Sequence, residues 1–255
     1  MRYFYLFAFL LFISSCSHID ESERLIHVPL QPAKRVVLLE DFTGQQCVNC
    51  PKGSEVIEQL QAAYPDNVIA VGIHGGPLGF KGNAKNIGLA TDLGDEYYNY
   101  WKLEYQPVGL IDRHGATNYT DWAARVKEEL QKDSPIEMVL SATLDGNLVV
   151  VTVSETALSA GVSGKLQVWL IEDGITALQK MPDGSVNRDY IHNHVLRAAV
   201  NGTWGEPCAP REGETLTQTY KQPVDASWNT DNLSIVAFLY NDSGVEQAVR
   251  LRIDN

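Results

Sequence analysis

Between residues 34 and 131 the apolar positions change rhythm several times. Residues 34–41 carry the unbroken run Val36-Val37-Leu38-Leu39, which predicts a buried strand. Over 51–64, Val56, Ile57, Leu60 and Ala63 recur at helical spacing, and Tyr64-Pro65 ends the helix. Residues 68–73 form a second apolar run. A strand, a helix and a strand joined this closely imply a parallel pair. Residues 74–90 read as a glycine-rich loop. A helix is expected over 91–103, opened by Thr91 and carrying Leu93, Tyr97, Tyr100 and Trp101. The aromatic residues Tyr97, Tyr98, Tyr100 and Trp101 suit a core, with a substrate groove as the alternative. A strand at 107–112, a turn at Arg113-His114-Gly115, a short strand at 116–119 and a helix from Asp121 to Gln131 complete this part.

Ser134-Pro135 marks a change to alternating strands and turns. Strands are expected at 136–144 and 147–157, joined at the hairpin signal Asp145-Gly146. Further strands are expected at 164–172, 194–200, 214–220, 232–240 and 245–253. Seven short strands at this spacing suggest an immunoglobulin-like β-sandwich. The domains read as 34–133 and 134–255. No internal repeat or low-complexity tract interrupts them.

The N-terminus reads as a targeting segment. Arg2 precedes an apolar stretch over 3–13. That is short of the about 20 residues a spanning helix needs, and it fits a secretory signal. It ends in Ile13-Ser14-Ser15-Cys16, which resembles a bacterial lipobox. On this reading residues 1–15 are the signal, Cys16 carries the lipid and residues 16–33 are a tether. Ser17, in place of Asp, favours outer-membrane sorting. Asp20-Glu21 resembles some surface-export signals but leaves the face of the membrane open. The net charge is −12, with no Lys/Arg cluster. Nucleic acid is therefore excluded as an expected partner. Membrane contact should rest on the lipid of Cys16 alone.

Cys47-Val48-Asn49-Cys50-Pro51 stands between the first strand and the first helix. Thiols at this spacing make and break a disulfide. The positive end of a helix stabilises the thiolate, lowering a cysteine pKa from about 8.5 to roughly 3.5–7.5. Cys47 is expected at the exposed helix start. Haem attachment needs His after the second cysteine, where Pro51 stands. A four-cysteine zinc site needs a second such pair, which is missing. A static disulfide remains open. A metal site with His74 or Cys208 as third ligand is incomplete, so no metal or other cofactor is expected. His192-Asn193-His194 also lacks a third ligand and reads as structural. Cys208 is the odd thiol, either buried and free or bridging to another chain.

Upstream of Cys47 the chain reads Leu39-Glu40-Asp41-Phe42-Thr43-Gly44-Gln45-Gln46. With Gln106-Pro107-Val108 downstream, this resembles thioredoxin. That family has a buried Asp six residues before its first cysteine and a cis-proline facing the disulfide. LLEDFTGQQCVNCPKG and HNHVLRAAVNGTWGE are also similar to signatures of an outer-membrane lipoprotein family named for a twenty-eight-kilodalton protein. Those chains join a thioredoxin-like domain to a C-terminal β domain. The resemblance implies an α/β thioredoxin-like domain followed by an all-β immunoglobulin-like sandwich. It also implies an envelope thiol–disulfide oxidoreductase acting on extracytoplasmic proteins with thiols or disulfides. Cys47 would attack, Cys50 resolve and Asp41 relay the proton, with Glu40 as the alternative acid. Gln106 and Pro107 would dock a substrate strand. His74, at the C-terminal end of strand 68–73, would approach the thiols. The other reading is a surface-exposed binding or adhesion lipoprotein on the same scaffold, without redox turnover. The direction of the reaction and the client proteins stay open.

Overall fold

The computed structural model describes residues 33–253. Cys16, the signal and most of the tether lie outside them. Up to residue 129 the chain forms β1 (Val37–Thr43), α1 (Cys50–Ala63), β2 (Val68–His74), α2 (Asp92–Tyr100), β3 (Val108–Ile111), β4 (Ala116–Asn118) and α3 (Trp122–Glu129). These follow the apolar pattern closely. Thr91 caps α2 by accepting from Gly94 N at 3.0 Å. Asp121 sits at the cap position of α3 but makes no capping bond.

Ten strands follow: β5 (Ile136–Asp145), β6 (Leu148–Ala157), β7 (Gly164–Glu172), β8 (Ile175–Lys180), β9 (Val186–His192), β10 (Val195–Ala199), β11 (Glu206–Cys208), β12 (Thr215–Pro223), β13 (Leu233–Asn241) and β14 (Gly244–Arg252). β8, β9 and β11 have no counterpart in the expected set.

The topology overturns the expected fold class. β1 pairs in parallel with β2 and antiparallel with β3. β2 is buried on every residue and takes a second neighbour, β10, from far along the chain. Gly72 N donates to His194 O at 2.8 Å across that seam. One sheet therefore runs β14-β13-β7-β10-β2-β1-β3-β4, with β11 beside β7. An α/β thioredoxin-like domain followed by a separate immunoglobulin-like sandwich is not what this chain forms. The physical reason is the free apolar edge of β2. It is satisfied by a strand of the second half, not by solvent or by a strand of its own half.

The cores follow the sheet. Leu38, Phe42, Tyr97, Trp169 and Phe238 share one apolar cluster, drawn from both halves. Behind β1 a second cluster packs Ile57 and Leu60 of α1 against Trp122 and Val126 of α3. Burying each such side chain is worth about 1.5–3 kcal/mol. A third lies between β7 and β13 and the three-stranded sheet β12-β6-β5. Arg35 ties the halves together through an ion pair to Asp112 at 2.7 Å and a bond to Val245 O at 2.6 Å. No helix among the described residues is long and apolar enough to cross a membrane.

Candidate functional site

The C-terminal ends of β1 and β2 lie side by side, with Thr43 opposite His74. After β1 the loop Gly44–Asn49 turns into α1, which starts at Cys50 with Pro51 in its first turn. Cys47 and Cys50 are joined by a disulfide, their Cα atoms 5.4 Å apart. Cys47 was expected at an exposed helix start. It is only 1% exposed, and Cys50 2%. The covering element is the β8–β9 hairpin. Gln179 Nε2 donates to Cys47 O at 2.8 Å and Gly44 O at 3.3 Å. Lys180 N donates to Gln45 O at 2.9 Å. Gln45 returns the contact, donating to Leu178 O at 3.0 Å. The residues between the cysteines, Val48 and Asn49, remain exposed.

Adjacent positions of a strand point to opposite faces. Asp41 accordingly lines a cavity with Cys50, His74, Gln179, Tyr190 and His192. Burial alone pushes its carboxyl up to about 8, and its Oδ1 has no hydrogen-bond partner. Glu40 points the other way and pairs with Arg113 at 2.8 Å. Burial raises Glu40 too, and Arg113 offsets part of that rise.

His74 ends β2 and lies in the same cavity. Burial, then His192 and Arg197, hold its imidazole well below the usual range. The rings of His74 and His192 meet edge to face with centroids 5.4 Å apart. Burial pushes His192 down to about 4. α2 packs tightly onto this strand end: a Cβ on Gly94 would lie 2.1 Å from His74 O, so only glycine fits there.

The Gln106–Pro107 bond is cis. Gln106 donates from Nε2 to Thr43 O at 2.7 Å and Gly75 O at 3.0 Å, and accepts from Leu78 N at 3.1 Å. It thereby fastens the 75–78 loop beside the end of β1. Pro107 faces Gly53 of α1.

The other sequence candidates have different partners, although His194 also borders the cavity. His194 adopts φ 58°, which separates β9 from β10 and turns its ring to Asp173 at 3.0 Å. It does not act beside His192. Tyr97 is core, donating to Thr203 O at 2.6 Å and accepting from Trp169. Tyr100 and Trp101 line a separate aromatic cleft with Trp204 and Tyr240. Cys208 is free and buried, its thiol pushed up to about 12 by burial and the neighbouring Glu155. Among the described residues, no group of three or more His, Cys, Asp or Glu is placed to hold a metal.

Sequence reasoning did not assign Gln179, Tyr190 and His192 to the site. The turn sequence Met181-Pro182-Asp183-Gly184 is the signal for their hairpin. Nothing local says that the hairpin folds onto residues 44–50.

A family profile described as outer membrane protein Omp28 matches residues 94–255. Among solved structures, HBP35 of Porphyromonas gingivalis is similar over 88% of this chain and 77% of its own, at 15% identity and a TM-score of 0.71. That likeness spans both halves of the chain, as the continuous sheet requires. Protein AGR_C_4864 from Agrobacterium tumefaciens is similar over 88% of this chain and 96% of its own, at 18% identity and a TM-score of 0.54. A domain of the outer membrane lipoprotein Omp28 from Porphyromonas gingivalis aligns with 48% of this chain and 89% of its own, at 28% identity and a TM-score of 0.36. No curated protein matches the chain.

Proposed function

The chain belongs to the Omp28 family of outer membrane proteins, and from that premise we propose that it is a thiol–disulfide oxidoreductase of the cell envelope. Its location is the bacterial outer membrane, lipid-anchored, in keeping with the Ile13-Ser14-Ser15-Cys16 motif. The observation that carries the redox reading is Asp41. An unpaired carboxyl, raised by burial to about 8, lines the same cavity as Cys50. Desolvation is a common means of keeping a carboxyl near neutrality for proton transfer.

In the reduced protein, Cys47 thiolate attacks a client disulfide and one client sulfur leaves. Cys50 then attacks Cys47 and releases the second client sulfur, while Asp41 accepts the Cys50 proton. The same steps run backwards when a client thiolate opens the Cys47–Cys50 bond. The Gln106–Pro107 segment receives the client backbone, its position held by the Gln106 side chain. His74 contributes a neutral imidazole to the cavity. The hairpin must swing clear for a client to reach Cys47, because the sulfur is covered.

The reduction potential of the purified protein tests this. A couple above about −300 mV is expected, since structural disulfides fall below that value. Cys50→Ser should trap client proteins on Cys47 as mixed disulfides. A bond that resists reduction, with nothing trapped, overturns the proposal.

One observation favours a second reading. Both sulfurs lie under the hairpin, as in a static disulfide, and the aromatic cleft of Tyr100, Trp204 and Tyr240 offers a separate binding surface. On this reading the protein is a surface binding lipoprotein. If Cys47→Ser leaves partner binding and cell phenotype unchanged, this second reading replaces the first.

A further inference from the structure

Three buried polar atoms beside Cys50 make no hydrogen bond: Asp41 Oδ1, His74 Nδ1 and His192 Nε2. They come from β1, β2 and β9, yet all three residues line one cavity. Buried polar atoms are normally paired, so each exception needs a reason. The cavity offers about 50 Å³ to the centres of water molecules. Roughly 10–15 Å³ of such space holds one water, so a short chain of waters fits.

We infer that His74 and His192 are positioning residues that carry the proton between Asp41 and solvent through water in this cavity. The inference rests on the redox reading. A client thiolate attacks Cys47 Sγ, and the Cys47–Cys50 bond breaks. Its electron pair leaves on Cys50 Sγ, which takes the Asp41 proton. The products are a Cys47–client disulfide, a Cys50 thiol and an Asp41 carboxylate. Asp41 then regains a proton through the imidazoles and water, and the net proton comes from solvent. Resolution by Cys50 runs the same path in reverse.

A neutral imidazole has one N–H and one bare nitrogen, so it passes a proton by taking one and giving another. Burial keeps both rings neutral at pH 7. The other charged or titratable groups facing this cluster are Glu55 and Glu58 of α1, Tyr190 of β9, His194, whose ring pairs with Asp173, and Arg197 of β10. Tyr190 stays protonated, since burial raises its phenol, and so it too remains uncharged. Asp41 has no partner among them that would replace the histidines.

The test uses the full chain and a cysteine-bearing peptide as client. Stopped-flow measurement follows opening of the Cys47–Cys50 bond across pH. His192→Gln keeps a polar side chain of similar size but cannot relay. It should slow opening about a hundredfold at pH 7, the low end of what proton transfer by a side chain contributes, and leave the reduction potential unchanged. His192→Ala should be equally slow, and imidazole added to the buffer should restore its rate. An unchanged rate in both variants, or a loss that imidazole does not restore, overturns the relay. Cys50→Ser in the parent chain, offered the same peptide as its disulfide-linked dimer so that Cys47 thiolate displaces one peptide thiol, separates the two proposals. If no peptide is ever trapped on Cys47, the redox reading fails and the relay falls with it. If peptide is trapped and the His192 variants open at the normal rate, only the relay fails.

Discussion

Glu40 and Asp41 are neighbours in β1, buried to nearly the same degree, and they face opposite sides of the sheet. Glu40 meets Arg113, whose guanidinium lies 4.1 Å from the Tyr240 ring centroid and 4.7 Å from that of Phe238. The charge there is paired and enclosed by aromatic rings. Asp41 meets a cavity with two neutral imidazoles and a disulfide, and no cation pairs with it. One face of the strand uses its carboxylate to hold two halves of the sheet together. The other keeps a carboxyl in a state that costs stability. Such a cost persists where a group has a task, and that contrast is why Asp41, not Glu40, carries the functional argument.

Removing the cation from the paired side should produce the largest effect. Arg113→Met leaves Glu40 buried and alone, which typically costs about 3–5 kcal/mol. Urea unfolding at pH 7 measures it. Adding Glu40→Leu to the same protein should recover most of the loss. If Arg113→Met is neutral, Glu40 is not held by its partner and the contrast between the faces collapses.

Neutralising the unpaired side should act with the opposite sign. Asp41 is protonated in the folded chain up to about pH 8. In the unfolded chain it ionises near its ordinary value, about 4. Unfolding between those values releases a proton. Stability from this group is therefore full below about pH 4 and declines as pH rises to about 8. Asp41→Asn removes the decline and should stabilise the protein at pH 7 by roughly 2–4 kcal/mol. It should also slow disulfide exchange. A variant no more stable than the parent at pH 7 would mean that Asp41 has a partner in solution.

His192 supplies the acid limb of the same comparison. Its folded pKa is depressed to about 4, against an ordinary value near 6.5. The unfolded chain binds a proton in that window and the folded chain does not. Stability is full above about pH 6.5 and is lost as pH falls to about 4. His192→Gln should flatten that limb by on the order of 2 kcal/mol while leaving the Asp41 decline from about pH 4 to about pH 8 in place. Unfolding curves taken at intervals from pH 4 to pH 8 separate the two limbs. An acid limb of unchanged slope would return His192 to a purely packing role.

Much of this site was legible residue by residue, because strand phase and helix period are local. Val37 to Asp41 read as a buried strand and a helix was expected over 51–64, but Cys47, expected at the helix start, lies before it and Cys50 opens it. The topology was not legible in the same way. The neighbour of β2 is β10, more than a hundred residues later, and only Val195 opposite Gly72 and one bond to His194 O record the seam. Periodicity carries no information about such a pairing. β9 was hidden by its own exposure. Val186-Asn187-Arg188-Asp189 is exposed throughout and has no apolar alternation to announce a strand. The burial of Cys47 followed from the same gap, since the hairpin that covers the disulfide was unseen. His192 and His194, two residues apart and read as structural, are turned apart by the left-handed backbone at 194.

The smallest expected effect probes how α1 is seated above the cavity. Gly53 lies in the first turns of α1, where alanine would gain about 1 kcal/mol of helix propensity. A Cβ at that position would sit 3.1 Å from Trp122 Cη2 and 3.3 Å from Pro107 Cβ. Trp122 has little freedom to yield. It is fully buried, and its indole N–H is held by Thr117 O at 3.0 Å. The added contact should therefore outweigh the propensity gain, and Gly53→Ala should destabilise by less than about 1 kcal/mol. The pH dependence is the sharper readout. Crowding against Trp122 and Pro107 alters neither Asp41 nor His192, so both limbs should keep their slopes while the whole curve drops slightly. A changed slope between about pH 6.5 and pH 8, where Asp41 titrates and His192 does not, would show that the seating of α1 sets the environment of Asp41. The two faces of β1 would then be coupled through the helix as well as divided by the strand.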